Sequence, residues 1–204
     1  GFDVVTAKGG QNKRIAHSLN KIPEMYWVKN RDAAENWTVY HKGLNSGTNP
    51  ENRYIIINSH GEESGSDTSA WNSFVPTSTH ISFGTMNSTG GNSSHNYLVM
   101  LFASVDGISK IGYYDGSNSA QTITTGFQPR FAIIRRVENT DHWFVLDTLN
   151  GWGSGNDHRL RLSLATAEGT GSDYGAPTST GFSLTGNMAS TNTSGGKYIY
   201  YAHA

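Results

Sequence analysis

The sequence predicts an all-β protein, a pseudo-twofold duplicated β-sandwich with two lobes of about seven antiparallel strands each. Three observations predict it. Short runs rich in β-branched and aromatic residues recur along the whole chain, and helical periodicity is hard to find. Clusters of Gly, Asn, Ser and Asp separate the runs. The runs of the first half then return, in order, in the second.

In chain order the predicted strands of the first half are 2–6, 14–17, 25–29, 37–41, 54–57, 80–83 and 97–105. Those of the second are 110–114, 122–124, 131–136, 143–147, 160–164, 181–184 and 197–202. Gly9-Gly10, Asp106-Gly107, Asp115-Gly116 and Asn150-Gly151 mark turns, and Asp106-Gly107 is read as a two-residue hairpin turn because both positions tolerate positive φ. That turn would join the apolar run 97–105 to 110–114 and bind the lobes together.

Pro23-Glu24-Met25-Tyr26-Trp27-Val28-Lys29 aligns with Pro129-Arg130-Phe131-Ala132-Ile133-Ile134-Arg135 at a shift of 106 (129 − 23). The same shift places Trp37 on Trp143. Pro76-Thr77-Ser78-Thr79 meets Pro177-Thr178-Ser179-Thr180 at a shift of 101 (177 − 76), and Gly90-Gly91 with its following strand meets Gly195-Gly196 with its own. The repeats are read as 1–107 and 108–204, either two tightly packed lobes or one fused domain. Two copies are too few for a solenoid.

Composition bounds the function. The hydrophobic fraction is 35% and Gly numbers 24, but an aromatic content of 11% supplies side chains that disordered chains lack. Net charge is −1 and the 15 Lys and Arg are scattered, so nucleic acid is not expected as a partner. The one dense basic group, Arg130, Arg135 and Arg136, falls in a strand, where alternation sends its members to different faces, solvated or paired. Absence of Cys removes disulfides, thiol nucleophiles and Cys-based zinc sites. No apolar run approaches the ~20 residues of a membrane helix, so no membrane insertion is expected. The chain opens Gly1-Phe2-Asp3, which suggests a domain cut from a longer polypeptide.

No catalytic set emerges. Glu62 and Glu63 are neighbours in one loop, whereas a glycosidase pair flanks its bond at roughly 5–10 Å from separate elements. The eight histidines match no ligand spacing, so neither metal nor cofactor is expected, although a cation held by loop Asp and Asn oxygens stays open. Asp141-His142 and Asp157-His158 pair a carboxylate with an imidazole, an orienting pattern more than a ligand set. Gly151-Trp152-Gly153-Ser154-Gly155-Asn156 lacks the Lys and the helix of a phosphate cradle and reads as a connecting loop.

The aromatics give the functional lead. Trp27, Trp37 and Trp143 lie in strand patterns, where packing is the expected role. Trp71 and Trp152 lie in polar loops. An indole face there suits a pyranose ring, with Asn72, or Asn156, Asp157 and His158, bonding its hydroxyls; capping its own lobe is the other role open to each indole. These six residues are the candidate receptor- or glycan-binding set.

Phe2-Asp3-Val4-Val5-Thr6, Ile15-Ala16-His17-Ser18-Leu19-Asn20-Lys21-Ile22-Pro23, Val28-Lys29-Asn30-Arg31 and Trp37-Thr38-Val39-Tyr40-His41 occur in that order. Phe102-Ala103-Ser104-Val105-Asp106-Gly107-Ile108-Ser109-Lys110-Ile111-Gly112, Thr125-Gly126-Phe127-Gln128-Pro129, Ala167-Glu168-Gly169 and Ser194-Gly195-Gly196-Lys197-Tyr198-Ile199-Tyr200 follow. Together they resemble a β-rich domain of uncharacterised function from tail-fibre and structural proteins of marine tailed bacteriophages, often found beside concanavalin-like or SPRY-like modules. The resemblance spans nearly the whole chain. It implies a virion protein assembled in the host cytoplasm, in a tail fibre, spike or capsid-attached fibre, and it brings no catalytic residues. The partners it implies are other virion proteins, host-surface glycan and further copies of the chain, often three. A carbohydrate-binding, lectin-like module of a secreted or surface protein is the alternative, and a glycan-degrading domain ranks last.

Overall fold

A computed structural model describes residues 1–204 and divides them into two units. The first comprises Gly1–Asn58 and Glu63–Ala103, and the second Ser59–Glu62 and Ser104–Ala204. The chain is all-β, with four short 3-10 turns and no helix long and apolar enough to cross a membrane.

The first unit contains β1 (Phe2–Lys8), β2 (Arg14–Ala16), β3 (Met25–Asn30), β4 (Thr38–His41), β5 (Ile55–Ile56), β6 (His80–Ser82) and β7 (Asn96–Phe102). Five of these form an antiparallel sheet in the order β1-β7-β3-β4-β5, and β2 pairs with β6 in a smaller one. Alternation along β7 turns Tyr97, Val99 and Leu101 inward. They join Tyr26 and Val28 of β3, and Ile15 of β2 and Ile81 of β6 complete the same buried cluster, so the core draws on both sheets.

The second unit contains β8 (Ser109–Asp115), β9 (Gln121–Thr124), β10 (Phe131–Arg136), β11 (Phe144–Asp147), β12 (Asp157–Arg161), β13 (Gly169–Ser172), β14 (Pro177–Thr178), β15 (Gly181–Leu184) and β16 (Lys197–His203). Its large sheet runs β13-β12-β11-β10-β16-β8 and its small sheet β14-β15-β9. Without the two extra edge strands β13 and β14, this is strand for strand the order of the first unit. Ala132, Ile134, Phe144, Leu146, Tyr198 and Tyr200 of the large sheet share a core with Ile123, Phe182 and Leu184 of the small one.

The repeat extends to hydrogen bonds. The Tyr97 hydroxyl donates to Asn87 O (2.9 Å) and accepts from the Asn92 N–H (3.3 Å). The Tyr198 hydroxyl donates to Ala189 O (2.9 Å) and accepts from the Thr193 N–H (2.9 Å). Each ring thus sits in a core while its hydroxyl ties down the loop leading into its own strand. A glycine makes room for each tie. A Cβ on Gly9 would lie 2.1 Å from Asn92 O and 2.7 Å from the Tyr97 ring, and one on Gly116 would lie 2.0 Å from Thr193 O and 2.9 Å from the Tyr198 ring. Trp37 and Trp143 hold matching backbone positions, with Trp37 O accepting from Ile57 N–H (3.1 Å) and Trp143 O from Leu162 N–H (3.0 Å). Their side chains differ: Trp143 is buried and Trp37 half-buried.

Several expectations are corrected. The units part at Ala103/Ser104, not at 107/108. The run 97–105 ends as a strand at Phe102, and β8 pairs with β16, so the Asp106-Gly107 turn joins strands of different sheets. Within that turn only Gly107 has a positive φ (72°), and Val105 O accepts from both Ile108 N–H (3.0 Å) and Ser109 N–H (2.9 Å). Strand β12 begins three residues before the predicted 160, because its leucines face outward and mislead the pattern. β13, Gly-Thr-Gly-Ser, and the two-residue β14 carry no apolar signal at all.

Arg135 is neither solvated nor ion-paired on a strand face. It is 0% exposed, and Nη2 donates to His60 O (3.0 Å), Gly61 O and Asn139 O (3.5 Å). Burial pushes its pKa down to about 10, against the pull of Asp141 and Glu138. The carbonyls of His60 and Gly61 belong to the tetrapeptide Ser59–Glu62, which His60 O fastens a second time by accepting the Asp141 N–H (2.9 Å). Of the neighbouring carboxylates Glu62 and Glu63, Glu63 accepts the Asn45 N–H (2.8 Å). His41 is buried, and its Nδ1 accepts the Gly43 N–H (2.9 Å).

Replacing Tyr97 or Tyr198 with Phe keeps the ring and strips a part-buried N–H and a part-buried carbonyl of their partner. Each variant is expected to lose about 1–3 kcal/mol, measured by urea unfolding, with the Tyr198 variant loosening residues 189–193 in hydrogen exchange and the Tyr97 variant residues 87–92.

Burial also holds the phenols of Tyr26 and Tyr114 well above the ordinary value of 10.0, and that of Tyr40 well above it too. A folded-state pKa raised above the unfolded one means the unfolded chain releases protons first as pH rises. Stability is therefore full below pH ~10 and falls above it, by about 1.4 kcal/mol per pH unit for each such Tyr. Urea midpoints measured from pH 8 to 11 should stay level and then drop together with a cooperative step in tyrosinate absorbance; a gradual rise that reaches the amplitude of all ten tyrosines before unfolding would contradict the burial of these phenols.

Candidate functional site

The loop after β11 is built from local hydrogen bonds. The Asp147 carboxylate caps the turn Thr148–Asn150 by accepting the Leu149 N–H (2.8 Å). Gly151, at φ 93°, then reverses the chain, and the Trp152 N–H returns to Asp147 O (3.0 Å). This carries the Trp152 indole inward, where it is 3% exposed and packs edge-on against Phe182 at 5.9 Å. Trp152 is therefore core, not a sugar platform.

Trp71 is corrected in the same way. It is 0% exposed in the first unit, edge-on to Tyr26 at 4.9 Å, with Nε1 donating to Arg53 O (2.8 Å). The left-handed residues Asn72 (φ 56°) and Ser73 (φ 49°) turn the polar part of the loop outward and the indole in. Its polar neighbours had suggested an exposed ring. Asn72 is half-buried on the same turn, with its N–H on Thr68 O (2.8 Å).

Asp157 and His158 are strand residues, not loop residues, and alternation separates them. Asp157 points inward, fully buried, and accepts the Gly153 N–H (2.9 Å) and the Tyr174 N–H (2.6 Å). One carboxylate thereby joins the loop before β12 to the segment after β13. Burial raises its pKa, the two N–H donors lower it, and nearby Asp173 adds to the rise. His158 points outward, and its carboxylate partner is Glu168 (Nδ1 to Oε2, 2.9 Å), not Asp157. Glu168 also accepts the Asn150 amide, and the two contacts hold its pKa below the usual range. Asn156 is exposed at the loop tip.

Beside this loop lies an open polar cleft of about 200 Å³, lined by Gly153, Ser154, Gly155, Asp173, Gly175 and Thr185 among others. Asp173 Oδ1 accepts the Gly175 N–H (2.9 Å) and the Thr185 hydroxyl (2.9 Å). The carboxylate and hydroxyls of the lining suit a small hydroxyl-bearing ligand. Of the six candidate residues, only Trp152, Asn156, Asp157 and His158 share this unit, and Asp157 shapes the cleft by holding Gly153. Asp173 and Thr185 escaped the sequence because their stretch carries no tryptophan; the Asx-type turn Asp173-Tyr174-Gly175 was the available signal.

Removing the Asp157 carboxylate (Asp157→Ala) leaves two N–H donors unpaired. A loss of about 2–4 kcal/mol is expected by chemical unfolding, with accelerated amide exchange at Gly153 and Tyr174 ahead of the rest of the unit.

A family model described as a domain of unknown function, DUF7483, matches residues 1–204. No curated protein and no solved structure matches the chain. The chain belongs to the DUF7483 domain family.

Proposed function

We propose that the chain is a non-enzymatic structural module of a bacteriophage virion appendage, in which the loop end of the second unit contributes to host-surface recognition. One observation carries this most directly. The residues behind the phage-domain resemblance build the scaffold: Phe2-Asp3-Val4-Val5-Thr6 is most of β1, and Ser194-Gly195-Gly196-Lys197-Tyr198-Ile199-Tyr200 holds the second tyrosine tie and the start of β16. A motif set spent on sheets and ties suits a durable body whose work is assembly. Stability without cysteine, from two cores and duplicated hydrogen bonds, supports the same role. The cleft beside Gly153–Gly155 supports the lectin-like alternative, and in an appendage it would serve recognition.

Antibodies against the purified chain should decorate one appendage on intact particles in electron micrographs. A chain found free in the medium and absent from purified particles would overturn the virion role and favour the secreted lectin-like module. Release of reducing ends from host polysaccharide would overturn the non-enzymatic one.

A further inference from the structure

Strand β12 is inverted. Leu160 faces solvent at 46% exposure, and Leu162 just beyond the strand at 42%, whereas Asp157, Arg159 and Arg161 point inward. Arg159 lies over the rings of Tyr174 (5.2 Å) and Phe144 (5.8 Å), and Arg161 over Phe144 (5.6 Å). On a strand their Cα atoms are ~7 Å apart on one face.

Neither guanidinium has an anion. No carboxylate is within ion-pair distance of Arg159 or Arg161, and neither side chain makes a hydrogen bond. Nε and Nη1 of Arg159 and Nε of Arg161 are buried without partners, while both residues as a whole are half-buried. Desolvating a cation without a counter-charge is unfavourable, and an aromatic face offsets only part of that. The surroundings add to the positive potential. Arg161 and Arg135 hold the His142 pKa below its ordinary value, after burial, and buried Arg135 keeps Nε and Nη1 without partners. The nearby acids are engaged: Asp157 by two N–H groups, Asp141 by the His142 N–H, and Glu138 by Arg136.

We propose that Arg159 and Arg161 bind the oxyanion, a carboxylate or sulfate, of an acidic saccharide. Guanidinium forks match both groups. Tyr174, which carries Arg159 on its ring, is flanked in sequence by Asp173 and Gly175, two residues that line the polar cleft. Two forks fit one or two acidic groups; they do not make the basic track a nucleic acid requires. This assignment rests on the host-recognition role proposed above and names its ligand class.

The test is calorimetric titration of the intact chain with polysialic acid (carboxylate), heparin (sulfate), neutral dextran and single-stranded DNA. At least one acidic saccharide should bind, weaken with salt, and shift two Arg Nε–Hε signals in NMR spectra of the unaltered chain. Arg159→Gln with Arg161→Gln should weaken that binding at least tenfold, the paired Arg→Lys change should weaken it less, and Arg130→Gln, at an exposed pair with Asp147, less than twofold. Because the NMR shifts are read on the unaltered chain, misfolding of a variant does not blunt the test. Absent shifts, undiminished binding by the folded double Gln variant, or DNA binding as tight as saccharide each overturns the site. Failure of both acidic saccharides with host-cell attachment intact overturns the arginine site alone, while loss of attachment by the unaltered chain overturns the recognition role itself.

Discussion

A phenol hydroxyl that must be both buried and bonded governs each unit. Tyr97 and Tyr198 are the second residues of β7 and β16, the strands paired with the edge strands β1 and β8, and their rings pack in the cores while their hydroxyls satisfy loop backbone. An unpaired backbone group there would cost as much as a lost hydrogen bond, so the loop can close only in the conformation that meets the hydroxyl. Around that tie the rest is fixed in turn: the glycine that admits the ring, the edge strand that carries the glycine, and the register of the strand it pairs with. In a chain without cysteine, this contact does locally what a cross-link would do.

Much of this was legible from residue pattern. Alternation located β1, β3, β10, β15 and β16 within two residues, and the shifts of 106 and 101 foretold the matching strand order. The failures share a physical cause. Trp71 and Trp152 were judged by their polar neighbours, but a left-handed residue beside each indole reverses the chain and sends ring and neighbours to opposite sides. Arg135 was judged by charge, but backbone carbonyls from a distant segment accept its protons. β12 was judged by its leucines, which turn out to face water. Pattern reports which residues share a face; it does not report which face is covered.

The two copies have diverged at one edge. The first unit's large sheet ends at the two-residue β5, and the second unit's continues through a longer β12 into β13. Edge strands are where a sheet tolerates bulges and charge, and the β12–β13 register shifts between Asp157 and Arg159. The longer β12 carries two arginines and a buried aspartate, and a Gly-rich loop leads into it, where the first unit has only Ile55 and Ile56.

The Ser59–Glu62 strap gives the chain a temporal order. His60 O meets Arg135 across 75 residues of sequence, so the strap leaves the ribosome long before the guanidinium that receives it. The later copy finishes by docking a piece already synthesised with the earlier one. The second unit thus completes the contacts of a buried arginine only with a segment whose sequence lies inside the first.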